Sequence, residues 1–152
     1  MIHPERNIGG LAMLRTIAAV FGVALLMPGA AFAEPIKAPE GARAYIMWPY
    51  NGTVIHGGKL WVRMGLQNMG VAPAGVNKEG TGHHHLLVDT ELKNFDEPIP
   101  NNKNNLHFGG GQTEVRLELP PGTHTLQMVL GDLDHVPHNP PVMSEKITIT
   151  VR

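Results

Sequence analysis

Past residue 41 the chain alternates apolar and polar residues in short runs cut by turns. Lys59 to Asn68 (KLWVRMGLQN) puts Leu60, Val62, Met64 and Leu66 on one face. Thr113 to Leu119 does the same with Val115, Leu117 and Leu119, and Thr123 to Leu130 with His124, Leu126, Met128 and Leu130. A period of two belongs to strands with one buried face. Ala42 to Trp48 is a further β-rich run, ended by Pro49 and the turn pair Asn51-Gly52, and Val142 to Val151 closes the chain on KITITV. His83 to Thr90 carries His84, Leu86 and Val88 on its even face, and His83, His85, Leu87 and Asp89 on its odd face. Between Glu91 and Gly111 the pattern weakens, leaving room for one or two short strands at most. About six to eight short strands at this spacing predict an all-β domain, an immunoglobulin-like antiparallel β-sandwich. A jelly roll or a small barrel is the alternative architecture.

The first 33 residues read differently. Arg6 and Arg15 precede an uncharged apolar run from Thr16 to Met27, then Pro28, Gly29 and the small residues Ala31 and Ala33. This is the grammar of a cleavable signal peptide, and the run is shorter than the ~20 residues of a membrane span. The expected organisation is a signal peptide over 1–33 and a single β-sandwich domain over 34–152, periplasmic or secreted, with no stable membrane insertion after cleavage. Across the whole chain 12 Lys+Arg face 13 Asp+Glu, with the signs interspersed, so nucleic acid is not an expected partner. There is no cysteine, which removes a disulfide framework and thiolate chemistry together. Ser144, the only serine, lies outside any G-x-S-x-G setting. Trp48, Tyr50 and Trp61 read as core and strand-edge residues.

Histidine is the remaining chemistry, with nine in the chain. His83 and His85 share one strand face about 7 Å apart at Cα, from a rise of ~3.3 Å per residue. In an immunoglobulin-like topology the loop before His83 and the loop after Leu130 lie at the same end. That brings His107, His135 and His138 towards the same rim, with Asp132 and Asp134 as acidic neighbours. His56 and His124 fall at the opposite end. The candidate metal ligands are therefore His83, His85, His107, His135 and His138, with copper or zinc as the ions that suit imidazole. Met47, Met64, Met69 and Met143 are read as core or gap filler before Cu⁺ ligands. His84, sharing a face with Leu86 and Val88, is read as a buried imidazole bonded to a loop carbonyl. The same cluster could instead be a structural polar network.

Five stretches occur in a recognisable order: MGVAPAGV (Met69 to Val76), TGHHHLLVD (Thr81 to Asp89), HFGGGQTE (His107 to Glu114), LPPGTHTLQMVLGD (Leu119 to Asp132) and HVPHNPPVMSEKITITV (His135 to Val151). Together they resemble the bacterial exported family catalogued as domain of unknown function 4399. The resemblance implies an envelope domain and assigns no catalytic residue. The resulting expectation is an exported module that binds a transition metal through a histidine cluster at one end. The alternative is a non-catalytic envelope module that binds a protein or cell-envelope partner, with the histidines structural. Without a nucleophile, a cofactor motif or an acid–base pair, an enzyme is the weaker expectation.

Overall fold

Alternation decides which residues are buried, and the buried positions decide how the strands stack. The computed structural model describes residues 35–152; the expected signal segment over 1–33 and its expected cleavage point lie outside them. The strands are β1 (Arg43–Trp48), β2 (Val54–Ile55), β3 (Lys59–Gln67), β4 (Gly70–Val71), β5 (Thr81–Val88), β6 (Asn105–His107), β7 (Glu114–Glu118), β8 (Gly122–Gly131) and β9 (Ile147–Val151), with no helix among the described residues. They form two sheets. The smaller has the order β1-β3-β7 and the larger the order β2-β9-β8-β5-β4, with β6 on the flank of β5.

The inner faces meet in one core. Leu60, Val62 and Met64 of β3 pack against Leu86 and Val88 of β5, Leu126, Met128 and Leu130 of β8, and Ile149 of β9. The β5–β8 pairing is antiparallel, with His84 opposite Leu130 and Leu86 opposite Met128. These partners match the strand faces expected from the alternation. A second, smaller cluster lies on the other side of the large sheet. There Leu87 and Val129 are covered by Ile99, Leu92 and Met143 from the loops that follow β5 and β8. Since both of its faces are covered, β5 is buried from Gly82 to Val88 and loses the usual alternation of exposure.

Several boundaries moved. β5 ends at Val88 because Asp89 turns left-handed (φ 53°) and binds the Thr125 amide through its carboxylate, 2.8 Å away. The weak stretch holds the three-residue β6. The sheets are not purely antiparallel, for β2 runs parallel to β9 and β4 parallel to β5. Residues Val142 to Lys146, expected as part of the last strand, contribute only a bridge from Met143 to Val129. Trp48, Tyr50 and Trp61 do not enter the core; all three are exposed on the small-sheet side.

Candidate metal centre

The direction in which each histidine of the triplet points follows from the pleat. Gly82, His84, Leu86 and Val88 face the interior; His83, His85 and Leu87 face outward from the sandwich, beneath the covering loops. Across β6, His107 stands directly opposite His85, and across β8, Gly131 stands opposite His83. After Gly131 the chain folds back, bridging Gly131 to Pro137, and so returns His135 over the same patch.

Four imidazoles converge there. The His83 ring centroid lies 4.9 Å from His85, 5.0 Å from His107 and 4.9 Å from His135. His85 is 5.0 Å from His107 and 6.0 Å from His135, and the last pair, His107 and His135, is 4.7 Å apart. Nε2 of His83 and Nε2 of His85 are 3.1 Å apart. One nitrogen from each of His83, His107 and His135 lies within 4.8 Å of the others. Metal–nitrogen bonds of about 2.0–2.1 Å in a tetrahedron put neighbouring nitrogens roughly 3.3 Å apart. The His83–His85 pair already stands near that spacing.

Electrostatics favours the ligating form. Burial, followed by the neighbouring imidazoles His135 and His107, pushes the His83 pKa down to about 4. Burial and then His83 push His85 down to about 3. His107 is also lowered, by burial first and His135 second. A neutral imidazole offers a lone pair to a metal, whereas an imidazolium offers none. Nδ1 of His85 and Nε2 of His107 are buried with no hydrogen-bond partner. His83 and His85 are fully buried while His107 and His135 are half-buried, so solvent reaches the cluster from their side.

The surroundings are shaped to the rings. A Cβ on Gly131 would sit 3.0 Å from His85 Nε2, and a Cβ on Gly109 would sit 2.5 Å from Cε1 of His107. His135 is held left-handed (φ 70°) by a loop that Asp132 organises. The Asp132 Oδ1 accepts from the amides of Asp134 and Val136, each at 2.9 Å. The His135 amide donates to the Asp132 carbonyl, and the Ile99 amide donates to the His135 carbonyl. Asp132 therefore acts on the loop backbone, and Asp134 is exposed. Pattern reading missed Gly109 and Gly131 as parts of the site, and placed Asp132 there only as an acidic neighbour. The signal was present in HFGGG and in VLGD, where glycine directly follows an apolar residue at or just past a strand's end.

The expected rim needs correction: the cluster sits at the anticipated end, but on the outward face of the large sheet. His138 is at the same end but not among the four rings. Its Cε1 is 2.9 Å from where a Gly82 Cβ would be, which puts it on the inward face of β5. His84 is buried inward as expected, yet the carbonyl partner is missing; both ring nitrogens of His84 and of His138 are buried without partners. Burial alone pushes His84 down to a pKa of about 4. His56 is exposed, and His124 is bonded to Asp89 at the far end of β8. Met64 lies in the core, Met69 packs against it, Met143 covers Val129, and Met47 is exposed.

The profile of a family described as Domain of unknown function (DUF4399) matches residues 62–152, and the chain belongs to that family. The match contains all of the clustered histidines. No curated protein matches the chain. Among solved structures it is similar to the fibronectin(III)-like modules of Clostridium thermocellum CbhA, at 14% identity and a TM-score of 0.43, covering 72% of this chain and 95% of that one.

Proposed function

We propose that this member of the DUF4399 family is an exported, immunoglobulin-like module that binds a transition metal, copper or zinc, through His83, His85, His107 and His135. The observation that carries the reading is the convergence of four imidazoles, with all ring centroids within 6.0 Å of one another. A closed set of four protein nitrogens suits holding or carrying a metal; a catalytic metal keeps a coordination position open for substrate. Borderline ions such as Zn²⁺ and Cu²⁺ accept imidazole, whereas Ca²⁺ and Mg²⁺ prefer oxygen. His138, from its place on the inward face of β5, is outside the proposed shell.

The competing reading makes the histidines a structural polar network. Such a network is stabilising when its members are satisfied, and an orphaned buried polar atom costs about 1–3 kcal/mol. Here Nε2 of His107 has no partner, which favours the metal. Export rests on the signal-like N-terminus, and the immunoglobulin-like assignment on the order β1-β3-β7 against β9-β8-β5.

Metal analysis of untagged protein, followed by calorimetric titration with Cu²⁺ and Zn²⁺, tests the site. One equivalent of metal should bind, and a His83→Ala/His85→Ala variant should lose that binding while His56→Ala keeps it. A double variant that titrates as the parent does would overturn the proposal.

A further inference from the structure

The chain has two tryptophans and two tyrosines; Tyr45, Trp48 and Trp61 lie on β1 and β3 of the small sheet, and Tyr50 follows in the turn after β1. Tyr45 lies across Gly65, where a Cβ would be 2.3 Å from its ring. Trp48 is opposite Arg63 on the neighbouring strand, and Trp61 is opposite Arg116. Tyr50 meets Trp48 edge to face at 5.4 Å. Trp48, Val54, Trp61 and Arg63 line one shallow depression. Exposure is 66% for Tyr50, 46% for Trp61, 37% for Trp48 and 38% for Tyr45, with Met47 at 50% and Val54 at 42%. A contiguous aromatic and aliphatic surface of this kind marks an interaction site on a folded domain.

The charges on the same face are of unequal sign. Lys59 and Arg63 pair with Glu118 and Glu114 across β3 and β7, at 3.9 and 3.4 Å. Arg43 instead stacks on Tyr45 at 5.6 Å, and neither Arg43 nor Arg116 has an ion-pair partner among the described residues. Four cations against two carboxylates make this face positive by two charges, although the whole chain carries a net charge of −1. Two copies meeting through this face would set like charges together, and an anionic surface would not. Tryptophan and tyrosine favour the boundary between hydrocarbon and headgroups, and cations nearby are attracted to anionic lipid.

We infer that the outer face of the β1-β3-β7 sheet docks on an anionic phospholipid surface. Tyr45, Trp48 and Trp61 would sit at headgroup level, Met47 and Val54 would touch the acyl boundary, and Arg43 and Arg116 would face lipid phosphate. Docking is peripheral, since it uses side chains of a folded sheet and no spanning segment.

Both tryptophans lie on this face, so their fluorescence reads it directly, whatever the apolar stretch near residue 20 does. The full chain is mixed with phosphatidylcholine vesicles, with and without phosphatidylglycerol, and with vesicles carrying brominated acyl chains. The expected result is a blue-shifted emission, quenched by the brominated lipid, that appears with phosphatidylglycerol and weakens in high salt. Arg116→Glu should lower partitioning by about tenfold or more, because each near-surface cation contributes about fivefold. Circular dichroism should show that variant folded, and Arg43→Gln, a milder change, should weaken binding by about fivefold. Unshifted and unquenched tryptophans with all vesicles would overturn the inference. So would a shift that follows protein concentration without lipid, which would mark the face as a contact between copies.

Discussion

His85 and His107 stand directly opposite one another across β5 and β6, their ring centroids 5.0 Å apart. The pairing depends on register. Leu106, next to His107, is opposite Leu86 and packs against the main core, so a slip of one residue would bury His107 inward and expose Leu106. The apolar core thus holds a polar site in place.

Gly131→Ala and Gly109→Ala should weaken metal binding without unfolding the domain. Neither glycine has a positive φ, so the backbone accepts alanine, but the new Cβ atoms would crowd His85 and His107. Overpacking of this kind costs about 1–3 kcal/mol, and displaced rings should lower Zn²⁺ affinity by calorimetry. Unchanged affinity in both variants would show that the rings do not need these gaps.

Asp132→Ala should release His135. The substitution removes the acceptor for the Asp134 and Val136 amides, at a cost of about 1–3 kcal/mol in stability. Its specific signature is a changed nitrogen hyperfine pattern in the electron paramagnetic resonance spectrum of the Cu²⁺ complex, as one ligand is lost. Asp132→Asn keeps an acceptor oxygen and should restore most of the parent spectrum.

At the other end of β8, His124 donates to the Asp89 carboxylate at 2.7 Å and to the Pro120 carbonyl at 2.9 Å. Using both ring nitrogens as donors requires the imidazolium. The Asp89 hydrogen bond is the main cause of a raised pKa, with desolvation opposing it. A raised folded pKa adds stability that is fully present below about pH 6.5 and is lost as pH climbs through the folded value. The stability difference between the parent and His124→Gln should therefore be largest in mild acid and shrink towards alkaline pH, in urea melts at several pH values. A pH-independent difference would mean that the bond forms with neutral imidazole.

Leu126→Ala should cost about 2–5 kcal/mol, since Leu126 is fully buried where both sheets meet. Thermal denaturation measures it. A cost below 1 kcal/mol, the range of surface substitutions, would contradict its central place in the core.

Export has a direct readout. Protein recovered from an exporting bacterial host should begin at Glu34, by intact mass and N-terminal sequencing. Recovery of the uncleaved chain in the membrane fraction would remove the exported reading while leaving the metal site untouched.

Much of this architecture was legible because β3, β7, β8 and β9 each bury one apolar face, and a period of two reveals which. The outward placement of His83 and His85 followed from the same parity. The loop that brings His135 back was harder to read: its path depends on Asp132 binding two backbone amides, which no periodicity encodes. His138 misled because nearness in sequence to His135 says nothing about which side of a sheet a loop crosses. The exposed tryptophans misled for another reason. Trp61 alternates with the core residues Leu60 and Val62, so its parity pointed outward, but residue type argued for burial, and parity prevailed.

The four clustered rings come from three stretches of chain, β5, β6 and the loop after β8, joined by long connections. An ion held by all of them would tie those connections at one point, closing loops much as a disulfide does. The chain has no cysteine with which to do this covalently. Its cross-link would instead be reversible, strengthening with the free metal concentration by about 2.7 kcal/mol at a hundredfold excess over Kd. Resistance to unfolding and to proteases would then track the metal supply of the compartment, and a chelator would do to this domain what a reductant does to a disulfide-bonded one.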